Sequence, residues 1–351
     1  MASIEMRALG GHTQPVTFQS LVGLSKTDAT QLTSKVTGAT RHSLSALAEV
    51  GYGTNRWPKG VSRTVLLLNY PSILAVPLSG LSIASAYGDG KEALAIDDKE
   101  GIRDALLSGL EGGLSLGEAL LWADFWVSEI FTGVDVGLIS AGMVPIGIPL
   151  GLGEAAAAVG IALDSIGLHR CYKVSQEAKE IIAKDNEEEA IEEGMEFFQK
   201  NLSLTTDDLL KIEEKIDQKH PLATDPEKAE IRKVEVQKAL KKKFAQFKRR
   251  VGNKTAKEVV KEVSELERGL KADSVEKGKA AEKIRTLLSE VEKKSFRKSI
   301  AHVIGILGAV IAIVGIVALA LGAPLLLYTL LFLIACIISL GRFVYERNAI
   351  K

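Results

Sequence analysis

Apolar and polar positions are distributed along this chain in blocks, and the strongest apolar block is the last. From Val303 to Leu340 the stretch "VIGILGAVIAIVGIVALALGAPLLLYTLLFLIACIISL" contains no Asp, Glu, Lys, Arg or His. As a helix, 303–321 reaches about 28 Å, close to the ~30 Å hydrocarbon core of a bilayer. Twelve of those nineteen residues are Val, Ile or Leu, each favouring insertion by about 0.3–0.6 kcal/mol. The second arm, 325–341, is shorter and gains length if Arg342 snorkels. Between the arms, Gly322 frees the backbone, Ala323 follows, and Pro324 removes an amide donor and clashes with the preceding turn. The pattern predicts a transmembrane helical hairpin over 301–345 with its turn at Gly322, Ala323 and Pro324. Gly305, Gly308, Ala312 and Gly315 fall near one face of the first arm, the small-residue seam that close helix contact requires. The same run would also suit a hairpin buried inside a water-soluble helical protein.

Before the hairpin the pattern changes three times. Residues 1–60 are rich in Ser, Thr and Gly with weak periodicity and read as a loosely ordered segment. Residues 61–170 form an apolar helical block. Its Thr64–Gly88 stretch is uncharged, but Pro71, Pro77, Asn69 and four serines favour a buried or interfacial segment. Leu106–Phe131 has helical spacing. A second, weaker hairpin or re-entrant pair is expected over 136–168, where Pro145, Pro149 and many glycines punctuate apolar sequence. Glu154 and Asp164 would each cost a few kcal/mol near the bilayer centre, so that segment needs an interface or a polar cavity to receive them.

Residues 171–300 are charged and helical, with an acidic stretch from Glu187 to Glu196. A helix is predicted after Thr205 or Thr206, and another at Asp225–Pro226, a cap followed by a first-turn proline. Its apolar stripe is Val236, Leu240, Phe244, Phe247 and Val251. Ala256, Val259, Val263, Leu266 and Leu270 repeat at 3,4,3,4 spacing, and Ala280, Ile284, Leu287 and Val291 at 4,3,4. A helical bundle or coiled coil follows, serving as an interaction region over 175–300. Only Phe296–Ala301 separates its last helix from the hairpin, so the two are expected to be continuous.

Charge sharpens this division. The formal net charge is zero, yet Asp104–His169 carries eight acidic residues and no Lys or Arg, whereas 200–300 carries 27 basic and 18 acidic residues. Arg297 and Lys298 precede the hairpin, and Arg342, Arg347 and Lys351 follow it, the last two in a basic tail over 346–351. Both ends are therefore expected on the cytoplasm-facing side of a multi-pass membrane protein.

Within Arg232–Arg250, nine basic residues face a single Glu235. Phe244 and Phe247 belong to the buried stripe and are not free to stack on bases, so no specific nucleic-acid binding is expected. Lys241, Lys242, Lys248, Arg249 and Arg250 are candidates for contact with anionic lipid headgroups, at about 1 kcal/mol each near the surface. Part of that charge could instead pair with the acidic run at 185–196. The acid-only block could line a cation path through Asp124, Glu129, Asp135, Glu154 and Asp164, though these share no helix face; exposed helix faces and ends account for them more simply.

The five histidines are scattered, with no zinc spacing, and no nucleophile elbow or phosphate-binding loop occurs. No catalytic residue, cofactor or metal site is therefore expected, and the chain reads as a non-enzyme. Cys171 and Cys336 cannot build a disulfide scaffold. Cys171 is read as a buried thiol, or as an acylation site if Leu168 leaves a membrane there. The first 30 residues lack the apolar core of a cleavable signal peptide.

The bilobed segment quoted above, with charged helices facing the same side and a Ser/Thr-rich start, resembles chlamydial-type inclusion membrane proteins. The resemblance is specific over about 40 residues, and the hairpin sits at the C-terminal end here rather than early. It implies type III export and insertion into a host vacuole membrane, with the helices offered to host proteins or lipids. The expectation is an all-α membrane-anchored tethering or interaction protein, with the bilayer and a protein partner as its contacts and self-association open. The alternative is a helical pore-forming or membrane-perturbing protein that shelters the hairpin in a soluble form.

Overall fold

The computed structural model describes residues 70–132, 147–271, 277–321 and 325–346. Among these residues the chain is all-α, with no strand. The helices are α1 (Tyr70–Ala95), α2 (Lys99–Thr132), α3 (Gly147–Ile182), α4 (Glu187–Leu202), α5 (Thr206–Lys219), α6 (Asp225–Val251), α7 (Asn253–Lys271), α8 (Lys277–Ala320) and α9 (Leu325–Tyr345). The turn Gly322, Ala323 and Pro324, the segment 136–146 and residues 1–60 lie outside the described residues.

Polar side chains set several of these boundaries. Asn186 accepts from the Glu188 amide at 3.0 Å and starts α4. Thr205 and Asp208 form a reciprocal capping box at α5, relieving amides that no earlier turn can satisfy. At α6 the cap is Thr224 rather than Asp225, because Glu227 reaches back to the Thr224 amide at 2.8 Å; Pro226 occupies the first turn. Gly252, at φ 97°, then lets α7 leave at once in a new direction.

The charged region closes around a buried apolar core. Phe198, Phe247, Ile284 and Leu288 are completely buried, together with Val251 and Val259. The core draws on α3, α4, α6, α7 and the first half of α8. All four members of the Ala280, Ile284, Leu287 and Val291 repeat lie inside it. Val236 and Leu240, in contrast, are only half-buried, as the α5–α6 pair extends beyond the core.

Two expectations need correction. The change from acidic to basic sequence suggested a boundary at 170/171, but α3 runs unbroken from Gly147 to Ile182, so the boundary falls inside a helix. For the same reason no reversal occurs between Gly147 and Leu168: this part of the expected 136–168 hairpin is one helix. Alanine-rich sequence sustains it, and Pro149 sits in its first turn, where a missing amide costs nothing. Of the Thr64–Gly88 stretch, the part from Tyr70 lies in α1, with Pro77 inside the helix, and 64–69 lie outside the described residues. α8 spans 44 residues and joins the bundle to the apolar run without interruption. By length and composition, α3 over Gly151–Ile182 and α8 over Lys277–Ala318 could cross a membrane.

Core truncation tests the bundle. Phe247→Ala should destabilise it by about 3–5 kcal/mol. Leu222→Ala, at a side chain 95% exposed, should shift stability by less than about 0.5 kcal/mol. Helical ellipticity followed on heating in mild detergent checks both.

Candidate functional site

The apolar core of the bundle and the long apolar helices meet at a band of buried polar side chains. Its centre is Asp164 on α3. Arg342 of α9 grips this carboxylate with both terminal nitrogens, Nη1 to Oδ2 at 2.6 Å and Nη2 to Oδ1 at 2.8 Å. His302 of α8 lies with Nδ1 2.8 Å from Oδ1. Because an ionised carboxylate only accepts, Nδ1 carries the proton. Arg342 Nε donates to Glu346 at 2.8 Å. The Arg342 and Asp164 side chains are only 11% and 13% exposed, so the pair adds little net stability but is far more costly to leave half-made than an exposed one.

Missing side chains make room for it. A methyl group at Gly305 would overlap the Arg342 guanidinium and the Asp164 carboxylate, and one at Gly167 would overlap the His302 ring. Of the four expected seam positions, Gly305 leaves room for a charged group. Gly308 and Gly315 are buried, and Ala312 is half-buried.

A second cluster ties α6 to the turn between α1 and α2. Asp98 is fully buried and accepts from Arg249 Nη2 and, at 3.1 Å, from Gln246 Nε2. Arg170 of α3 holds Asp104 of α2 in a fork, at 2.6 and 3.1 Å. Glu100 lies between Arg170 at 3.4 Å and Arg250 at 3.7 Å. Arg250 also donates to Asn201 Oδ1 at 3.1 Å, and Lys298 donates to the Arg249 carbonyl at 2.8 Å.

These contacts revise the expected role of the basic run. Arg249 and Arg250 are committed to Asp98, Glu100 and Asn201, which leaves them poorly placed for headgroups. Lys241 is exposed, and Lys242 and Lys248 are half-exposed. Phe244 and Phe247 are buried. Other basic residues of the run pair with α5, through Lys243–Asp208 at 2.7 Å and Arg232–Glu213 at 2.8 Å, rather than with 185–196. Of the expected cation-path acids, Asp164 is taken by Arg342 and His302, and Glu154 is half-buried on α3. Cys171 is buried, its thiol 3.4 Å from the Arg250 carbonyl, which leaves no access for an acyl donor.

Among the described residues no three His, Cys, Asp or Glu side chains are placed to share a metal ion. An open groove at the far end of the bundle, lined by Ile182, Glu187, Ala281, Glu282 and Arg285, is bordered by the bond from Arg285 Nη2 to the Lys184 carbonyl at 2.8 Å. No protein-family model, curated protein or solved structure matches the chain.

Two measurements probe the polar contacts. Asp164→Asn or Arg342→Met alone should each destabilise by about 3–5 kcal/mol, by stranding the partner in a dry site, and the double variant should recover much of the loss. Thermal unfolding in detergent checks the cycle. In the α5–α6 pair, hydrogen bonds from Lys238 and Lys215 hold the Glu235 carboxyl below the usual range. Asp208 is raised by burial but pulled lower still by Lys243 and Thr205, and Glu227 is lowered by the Thr224 amide. Folded values below unfolded ones mean that this stabilisation is complete above the ordinary carboxylate range, about pH 4, and is lost as pH falls through the depressed values. Helical ellipticity should therefore drop on acidification below about pH 4, and Glu235→Gln should reduce the dependence.

Proposed function

We propose that this chain is a membrane-anchored helical tether: α8 and α9 cross a bilayer as a hairpin, and the bundle of α4–α7 is offered to a protein partner from one side. The observation that carries this reading is the outer face of α8. Val303, Leu307, Val310, Val314, Val317 and Leu321 are between 41% and 83% exposed, while Gly308 and Gly315 are buried. Along α9, Leu327, Leu330, Ile334, Ile337 and Val344 are exposed in the same manner. Large apolar side chains outside and small ones inside is the arrangement suited to lipid, where leucine gains nothing by being buried and close backbone approach supplies the contact.

The position of Arg342 beside Gly305 supports a hairpin in which α9 returns along α8 and its basic end shares a side with the bundle. The bilobed hydrophobic segment supports a place among proteins resembling the chlamydial inclusion membrane family, with a host vacuole membrane as the site of insertion. The exposed face of α8 and α9 favours a permanently inserted anchor over a sheltered pore former.

The full chain should remain with membranes through a carbonate wash, and tags at residue 220 and after Lys351 should be digested or protected together. Release by carbonate, or opposite protection of those two tags, refutes the reading. Added to dye-loaded anionic vesicles, the detergent-solubilised protein should release negligible dye at ratios where binding is complete; rapid release by protein prepared without detergent favours a pore former.

A further inference from the structure

We infer that α1, α2 and α3 cross the bilayer beside α8 and α9, making five crossings and placing the chain before Tyr70 on the opposite side from the helical bundle. The inference rests on the anchoring reading and extends it to the acidic, glycine-rich block, in which α3 has the length and composition of a span.

The registers place all five helices at a common level. Gly109 of α2 faces Ala86 of α1, Gly160 of α3 faces Glu111 of α2, and Asp164 of α3 meets His302 and Arg342. From that level α1 rises to Tyr70, α3 back to Gly147, α8 to Ala320 and α9 back to Leu325. At 1.5 Å per residue these rises are about 24, 25, 27 and 25 Å. Four helix ends from distant parts of the chain thus stop at one height, and that height approaches the hydrocarbon thickness of a bilayer. α2 runs on further, for about 35 Å.

Side-chain placement on α1 and α2 follows the same inverted rule as α8. Between the two helices lie Ala86, Ala93, Ala105 and Gly112, all buried. Leu81, Leu106, Leu110 and Leu120 are 50% to 69% exposed. On α2 the contrast is sharpest: Glu118 is buried at 8% against the Gly153 position of α3, while Leu120, two residues on, is half exposed. A helix in water turns its carboxylates outward and its leucines inward. One in lipid does the reverse, because an ionisable group there must face other helices. The bundle of the same molecule, with its phenylalanines inside, shows that the inversion is local. Tyr87, 75% exposed, and Tyr345 stand near the common level, where aromatic side chains mark a headgroup region.

Charge orients the slab. On the bundle side the helix ends carry Lys99, Arg103, Arg170, Lys173, Arg297 and Arg342, against Arg56, Lys59 and Arg63 before α1. The excess fixes the bundle on the positive side. Because α1 descends towards Ala95 on that side, an odd number of crossings separates the two chain ends.

Protease protection of the full chain in sealed vesicles tests this, with tags after Met1, at residue 220 and after Lys351. The expected result is that the first tag and the other two show opposite protection. If all three share one state and the chain still resists carbonate, the five-crossing inference is overturned while the hairpin anchor stands; if carbonate releases the chain, both fail. A second readout needs no insertion. In a Cys171→Ser, Cys336→Ser background, a fluorophore on Leu120→Cys should be quenched at least several-fold more by lipids spin-labelled along their acyl chains than one on Leu222→Cys. Equal quenching at the two positions would overturn the placement of α2 in lipid.

Discussion

The bidentate bond between Asp164 and Arg342 joins residues 178 positions apart, and the arrangement of the long helices depends on it. Neither charge has enough water around it to stand alone, so α3 and α9 must meet at this register and no other. Sliding α9 by a single residue would swing Arg342 by roughly 100° around its helix and take the guanidinium from the buried Asp164 carboxylate, leaving it with His302. His302 adds α8 to the same bond. Apolar packing between α3, α8 and α9 is smooth and repetitive, and would tolerate several alignments; the ion pair selects one. That is the best-attested use of buried charge, which contributes little net stability but discriminates strongly between alternatives.

Within α8 two packing rules operate end to end. Up to Val291 the helix buries Ile284, Leu287 and Leu288 and exposes lysines. From Val303 it buries Gly308 and Gly315, with Ile316 beside them, and exposes Val303, Leu307, Val310, Val314 and Val317. The first pattern follows from removing apolar surface from water, and the second is the one that close contact in lipid, as proposed above, would favour. The polar band around Asp164, Asp104 and Asp98 occupies the transition, where side chains of both kinds would otherwise meet an unsuitable neighbour.

Much of this was legible because it is periodic. The repeat Ala280, Ile284, Leu287 and Val291 has one helical spacing and one environment, so its burial followed from the sequence, as did that of Phe244 and Phe247. The cap at Thr205 and the uncharged run from Val303 are equally local signals. The contacts that organise the polar band are not. Asp164 and Arg342 leave no spacing that links them, His302 looks like one more scattered histidine, and Arg249 and Arg250 look like surface charge until Asp98 is folded beneath them. A boundary at 170/171 was inferred from a change of charge, but charge changes where the surroundings of a helix change, and α3 passes through that change intact. That Gly305 leaves space for a guanidinium was not legible either, since the group it admits arrives from another helix.

The unbroken α8 has a mechanical meaning. There is no flexible joint between Ile284, deep in the bundle, and Val303, where the apolar face begins, only about 28 Å of hydrogen-bonded helix. Lys298 clamps that stretch to the end of α6, and Asp164 clamps it to α3. A load applied to the bundle is therefore delivered as tilt or torque on the apolar helices rather than being absorbed in slack chain, so the molecule behaves as a lever with its fulcrum at the polar band.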